Sequence, residues 1–108
     1  MASDDLERVI AERRLTLVSD EGEARDVVVR IGKPERSPGH PDFCCECQIL
    51  GLGDGKVMRI YGLDAFQALQ LGLRFVSTLL NHHRREAMRG IYWLEPGDDM
   101  GFEVRLED

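Results

Sequence analysis

The chain has 108 residues, 43% of them hydrophobic, which predicts one domain over residues 1–108 with one modest core. Its 14 basic and 20 acidic side chains give a net charge of −6, unsuited to general nucleic-acid binding, which needs positive fields. The acidic start MASDDLERV lacks the apolar core of a secretory signal, and no run approaches the ~20 apolar residues of a membrane span. We therefore expect a cytoplasmic protein that binds neither nucleic acid nor membrane.

Alternating apolar and polar side chains predict two strands in the first third of the chain. Leu15 and Leu17 alternate with polar neighbours in residues 11–18, and a second alternating run covers residues 27–31. The polar residues 19–23 between these runs contain a glycine, so the two strands are predicted to form a hairpin. Arg13 shares the side of Leu15 and Leu17 and fits this apolar row poorly.

A second strand pair is predicted after an irregular connection. Residues 33–41 hold three prolines, which is typical of a segment without regular structure. Residues 43–50 predict a third strand and residues 56–61 a fourth. The Asp-Gly pair in residues 51–55 is typical of the tight turn that would join them.

Residues 63–81, LDAFQALQLGLRFVSTLLN, predict a long amphipathic helix whose apolar arc is wider than one contact needs. The arc spans roughly 220°, whereas a helix that covers one sheet typically needs about 100°. The row predicted to pack on the sheet consists of Phe66, Leu69, Leu73, Val76 and Leu80. The surplus row must meet another part of this chain or another molecule, and we expect it to be an interface with a second copy or a protein partner. It consists of Leu71, Phe75 and Leu79.

Local signals mark both ends of this helix and the elements after it. Asp64 and Gln67 have the spacing of a capping box, and Gly90 stops the helical run. Residues 91–94 and 100–106 then predict a short strand pair. The predicted fold is α+β: an antiparallel four-stranded meander with one long amphipathic helix packed on one face, plus the short C-terminal strand pair.

The three cysteines of the CCEC sequence are the first candidates for chemistry. Zinc would need converging thiolates, with histidines such as His40, His82 or His83 as further ligands. Strand periodicity instead puts Cys45 and Cys47 in an apolar row and leaves Cys44 on the polar side. CCEC also lacks paired CxxC motifs, so no metal site and no cofactor is predicted.

Three other features resemble sites and have simpler explanations. The GLGDGK sequence at residues 51–56 precedes strand residues, whereas a phosphate loop precedes a helix, so a hairpin turn is favoured. The loop with His40 and the acidic turn with Asp98 and Asp99 carry ordinary turn residues. On the outer sheet face, cross-strand ion pairs are favoured over docking of an anion or an acidic partner on the arginines. The residues predicted to project from this face are Glu12, Arg14, Arg30, Glu46, Gln48, Arg59 and Tyr61.

No catalytic residues are predicted, because no nucleophile motif or paired-carboxylate arrangement is legible. The first hypothesis is a non-catalytic domain that works through protein contact, as a homodimer or with a protein partner. The alternative is an immunity-type or effector-binding protein whose negative charge masks a basic surface. A third hypothesis is a small enzyme that depends on a metal or a thiol.

Three motifs resemble those of a family of small uncharacterised bacterial single-domain proteins. They are VRIGKP at residues 29–34, ILGLGDG at residues 49–55 and YGLDAFQALQLGL at residues 61–73. The resemblance implies an α+β fold in the bacterial cytoplasm and implies no catalytic or binding residues.

Overall fold

The computed structural model describes residues 6, 8–86 and 90–102, and it shows an antiparallel sheet packed against one long helix. The predicted α+β class is therefore confirmed. The elements in chain order are β1 (Val9–Val18), β2 (Ala24–Gly32), β3 (Glu35–Arg36), β4 (Phe43–Leu50), β5 (Met58–Gly62), α1 (Ala65–Glu86) and β6 (Gly90–Tyr92). Within the described residues, no helix is long and apolar enough to cross a membrane.

Every strand pair in the sheet is antiparallel, and the four long strands follow one another as the predicted meander. β1 pairs with β2, β2 with β4, and β4 with β5. Because Cys47 pairs with Ile31 of β2 and with Met58 of β5, these two strands lie on opposite sides of β4. The short β3 pairs with the start of β4.

The predicted C-terminal strand pair is seen only in its first member. That strand, β6, pairs with residues 16–18 of β1, so the helix carries the chain from one edge of the sheet to the other. Met100 and Gly101 lie in a turn. Residues 103–106 of the second predicted strand lie outside the described residues.

One face of the sheet forms the core, as the strand alternation predicts. The buried row consists of Leu15, Leu17, Val27, Val29, Ile31, Cys45, Cys47 and Ile49. α1 covers the part of this face made by β4 and β5. From the opposite edge, Ile91 of β6 and Met100 of the following loop contribute side chains to the same core, and both are fully buried.

The helix packs on the sheet through a different row from the predicted one. Val76 and Leu80 are fully buried as expected, but Phe66 is 71% exposed and Leu73 is 36% exposed. The innermost positions include the small residues Ala68 and Gly72, which rotates the contact by roughly 50° around the helix axis. The predicted row consists of large apolar residues, whereas the small residues of the observed row let the helix backbone approach the sheet.

Gly72 shows how close this approach is. A Cβ atom at Gly72 would lie 3.0 Å from the Cys47 Sγ and 3.1 Å from the Cys45 Sγ. Glycine in a helix interior costs about 1 kcal/mol relative to alanine. Here it leaves room for two buried sulfur atoms under the helix.

The predicted helix cap is confirmed. The Asp64 Oδ1 accepts a hydrogen bond from the Gln67 backbone N–H at 2.8 Å. The Gln67 Oε1 accepts one from the Leu63 N–H at 2.7 Å, one residue earlier than in the usual capping box. These bonds fix the sharp turn between β5 and α1.

Candidate functional site

An open groove lies where the edge of the sheet meets the flank of the helix. We call it the edge groove; its volume is about 330 Å3, and it is lined by Ile60, Leu71, Arg74, Phe75 and Thr78. Leu71 is 36% exposed, and Ile60 and Phe75 are half-buried. The groove therefore presents apolar side chains to solvent with one cationic residue beside them.

The position of the groove follows from the topology. Within the described part of the chain, β5 pairs with β4 alone, so its other edge has backbone groups without a strand partner. Met58 and Ile60 of β5 pack against the core, whereas Arg59 and Tyr61 are exposed. Since α1 lies over β4 and β5, one flank of the helix lies along this edge.

The structure brings together two of the three predicted interface residues. Leu71 and Phe75 both line the edge groove. Leu79 packs against the core instead, and it lines a small cavity of about 90 Å3 under the β4–β5 turn with Leu52 and Met58. Ile60 also lines the groove and is not among the residues predicted from the sequence, although its alternation with Arg59 and Tyr61 in a strand before a helix is a usable signal.

The outer face of the sheet carries cross-strand ion pairs, as the sequence favours. Glu12 and Arg30 are register partners on β1 and β2, and the Arg30 Nε lies 3.2 Å from the Glu12 Oε2. Glu46 and Arg59 are partners on β4 and β5 at 3.4 Å. These exposed pairs contribute little stability, about 1 kcal/mol at most each. They do balance the charge of the arginines on this face.

The thiols have the surroundings of core residues. Cys45 and Cys47 are fully buried, and the Cys45 Sγ lies 3.6 Å from the Gly32 carbonyl oxygen, to which it donates. For Cys44, partial burial and then the Glu46 carboxylate raise the pKa of the thiol, so it stays protonated at neutral pH. Within the described residues, no group of three or more His, Cys, Asp or Glu side chains could hold a metal ion.

The glycine-rich sequence after β4 is a turn. Gly51, Gly53 and Gly55 have φ angles of 89°, 71° and 70°, a backbone region that favours glycine. The Lys56 N–H donates to the Asp54 Oδ1 at 3.0 Å, and β5 follows directly after this turn and pairs with β4. A hairpin joins β4 and β5 as predicted, but its connection is longer than the predicted tight turn: β5 begins at Met58, and the register pair nearest the turn is Cys47 with Met58.

Arg13, which fits the apolar row of β1 poorly, is held by the loop after β6. Its Nη1 donates to the Gly101 and Met100 carbonyl oxygens, at 2.7 and 3.1 Å. Its guanidinium carbon lies 3.7 Å from the centroid of the Trp93 ring. The loop therefore places its own acceptors and an aromatic face around a charge on the core side of the sheet.

Asp98 organises that loop. Its carboxylate accepts hydrogen bonds from four backbone N–H groups, those of Trp93, Leu94, Glu95 and Met100, at 2.8 to 3.1 Å. These bonds hold the pKa of the Asp98 carboxyl well below its usual range. Arg84 of α1 donates to the Asp98 carbonyl oxygen at 2.8 Å and ties the loop to the helix.

Most of the chain matches a known protein family. A family model described as a domain of unknown function, DUF6968, matches residues 11–104. No curated protein and no solved structure gives a significant match. The matched range contains the edge groove, the cysteines, Arg13 and the loop around Asp98.

Proposed function

The chain belongs to the DUF6968 family, and we propose that it is a non-catalytic domain that acts through protein–protein contact as a homodimer. The observation that carries the proposal is the edge groove beside an edge of β5 that has no strand partner within the described residues. An exposed strand edge next to exposed apolar side chains is a surface that a second chain can cover.

A second copy of this chain fits that surface by symmetry. Antiparallel pairing of β5 with its own copy is self-complementary, as a two-fold interface requires. Leu71 and Phe75 lie on the same flank of the molecule as β5. The same two-fold axis would therefore bring the two helices together over the joined strands.

The area that a stable interface needs supports the use of both the free edge of β5 and the flank of α1. Specific interfaces bury roughly 800 Å2 on each partner, more than a few groove residues supply. The strand edge provides hydrogen-bonding groups, and the helix flank provides apolar area whose burial contributes roughly 25 cal/mol per Å2. Together they form one continuous surface.

We also propose that the protein works in the cytoplasm. Cys44, Cys45 and Cys47 are all free thiols. Free thiols are typical of reducing compartments, whereas small secreted domains usually contain disulfides.

The homodimer is tested by Leu71→Glu, which puts a charge in the edge groove. Light scattering after gel filtration at micromolar concentration should give twice the 12.3 kDa chain mass for the wild type and the single mass for Leu71→Glu. The substitution replaces apolar area with a carboxylate whose desolvation the neighbouring Arg74 would offset only in part, so dimerisation should weaken at least about tenfold.

The matched control is Gln70→Glu, which adds the same charge at the neighbouring exposed position of the helix. This variant should remain dimeric, and circular dichroism should show that both variants are folded. A monomeric wild type whose mass and solubility Leu71→Glu leaves unchanged would contradict the proposal.

A further inference from the structure

A second cavity lies on the opposite flank of α1, between the helix and the loop after β6. We call it the Arg13 cavity; its volume is about 210 Å3, and its walls include Ala11, Arg13, Val29, Ile31, Leu73 and Phe102. Leu73 points away from the edge groove, because it lies roughly 160° from Leu71 around the helix axis. The two surfaces are therefore separate.

The cavity combines apolar walls with one cation. Val29 and Ile31 belong to the buried row of β2, and Phe102 packs against the core. Within the described residues, Arg13 has no carboxylate partner, in contrast to Arg14 and Arg30. A half-buried guanidinium whose charge no described carboxylate balances attracts an anion more strongly than an exposed one does.

The arginine is also held in a fixed position. Its Nη1 bonds to two loop carbonyls, and Trp93 stacks against the guanidinium. A guanidinium has five N–H donors, so donors remain on its other nitrogens. A prepositioned fork of donors suits a carboxylate, which it can bind through two parallel hydrogen bonds.

Glu12 also lines the cavity, and its negative charge would oppose an anion. Its carboxylate, however, lies 3.2 Å from the Arg30 Nε and 3.8 Å from Arg14 on the outer face of the sheet. Two arginines therefore balance this one carboxylate. Among the described residues that line the cavity, Arg13 therefore supplies a positive charge that no carboxylate neutralises.

We propose that the Arg13 cavity binds a small monocarboxylate with a compact apolar body, its carboxylate on Arg13 and its body between Leu73 and Phe102. The volume sets the size. An apolar cavity of roughly 150 Å3 holds benzene, so about 210 Å3 leaves room for one ring and a carboxylate. A larger ligand of drug size would need roughly 300 Å3 or more.

The test uses benzoate as the probe and benzyl alcohol as its neutral counterpart. Methyl signals of Val29, Ile31 and Leu73 are followed by NMR during each titration. We expect saturable shifts with benzoate, and binding of benzyl alcohol at least about tenfold weaker because it lacks the charged hydrogen bonds. Arg13→Gln should reduce benzoate affinity at least about tenfold, while Arg14→Gln on the outer face should leave it unchanged.

A second variant leaves Arg13 untouched and keeps the test valid if Arg13→Gln does not fold. Leu73→Trp fills the cavity from the helix and should abolish the benzoate shifts. Gln70→Trp, at a solvent-exposed position of the helix, should leave them in place. Absence of saturable shifts up to about 20 mM benzoate would overturn the proposal. Equal binding of benzyl alcohol, or benzoate binding that survives Leu73→Trp, would also overturn it. None of these readouts depends on the oligomeric state.

Discussion

The structure leaves no room for a side chain at Gly62. A Cβ atom there would overlap the Ala68 amide nitrogen and lie 2.8 Å from the Ala68 Cα. Both atoms are backbone in the first turn of α1, so either the strand or the helix must move. The sequence marks Gly62 only as the end of a strand. The close contact depends on how the helix folds back over β5.

The prediction at this position is that Gly62→Ala destabilises the domain by about 3 kcal/mol, because overpacking against backbone allows little relaxation. Urea unfolding should show the loss as a lower midpoint. The control is Gly90→Ala, whose new methyl group would meet nothing closer than the Val18 Cβ at 3.8 Å. Gly90→Ala should change stability by less than about 0.5 kcal/mol. Equal midpoints for the two variants would refute this account.

Arg13 shows what a sequence pattern can and cannot predict for one residue. The alternation of β1 places Arg13 in the apolar row and so marks it as unusual. Its partners are a ring and two carbonyls 80 to 88 residues later, in segments that the sequence predicts as a strand pair and not as a loop around an arginine. The place of a charged residue in the apolar row of β1 could therefore be predicted from the sequence. The groups that bind its guanidinium could not.

The start of α1 depends on local interactions, whereas its rotation on the sheet depends on tertiary contacts. Its start was predictable because Asp64 and Gln67 act within one turn. Its rotation was not, because Ala68 and Gly72 gain their importance from the sheet beneath them. Because of this rotation, only part of the predicted surplus row lies at the surface. Leu71 and Phe75 line the edge groove, whereas Leu79 packs against the core.

The loop after β6 gives a pH-dependent prediction through Asp98. A carboxyl whose pKa is lowered by folding stabilises the native state above its unfolded pKa of about 3.9. That contribution declines as the pH falls below this value towards the lowered native pKa. Asp98→Asn should therefore be less stable than the wild type at pH 7, and the difference should shrink between about pH 4 and pH 2.

Urea midpoints of both proteins across this pH range provide the measurement. Asp99→Asn is the comparison at pH 7, because Asp99 accepts one backbone N–H, that of Gly101, where Asp98 accepts four. Its effect should be the smaller one. A difference between the wild type and Asp98→Asn that is the same at pH 7 and pH 2 would rule out the carboxylate as the cause.

At the scale of the whole molecule, the core face is covered from two sides. α1 covers β4 and β5, and Ile91 and Met100 add to the core from the opposite edge. The covering of β4 and β5 by α1 follows from the predicted meander and the single helix. The covering from the opposite edge could not be predicted, because it depends on the pairing of β6 with β1, at the other end of the sheet from β5.

Burial of Cys45 and Cys47 under the helix turns these thiols into reporters of global unfolding. Both are fully buried, so a thiol reagent should reach them only when the fold opens. With a stability of about 5 kcal/mol or more, they should react at least about a thousandfold more slowly in buffer than in urea. Reaction with an aromatic disulfide reagent in a Cys44→Ser background measures both rates. Native-state reaction as fast as that of free cysteine would disprove the burial.

The pairing of β6 with β1 has a consequence for how the sheet assembles. The β1–β2 and β4–β5 hairpins join neighbouring segments, whereas the pairs of residues 16–18 with residues 90–92 join segments from near the two ends of the described chain. The entropic cost of closing a loop rises with the length of chain that it encloses, and folding slows as the contacts become more distant in sequence. The hairpins can thus form early from local contacts. The rate-limiting step of folding is expected where the chain returns to its first strand.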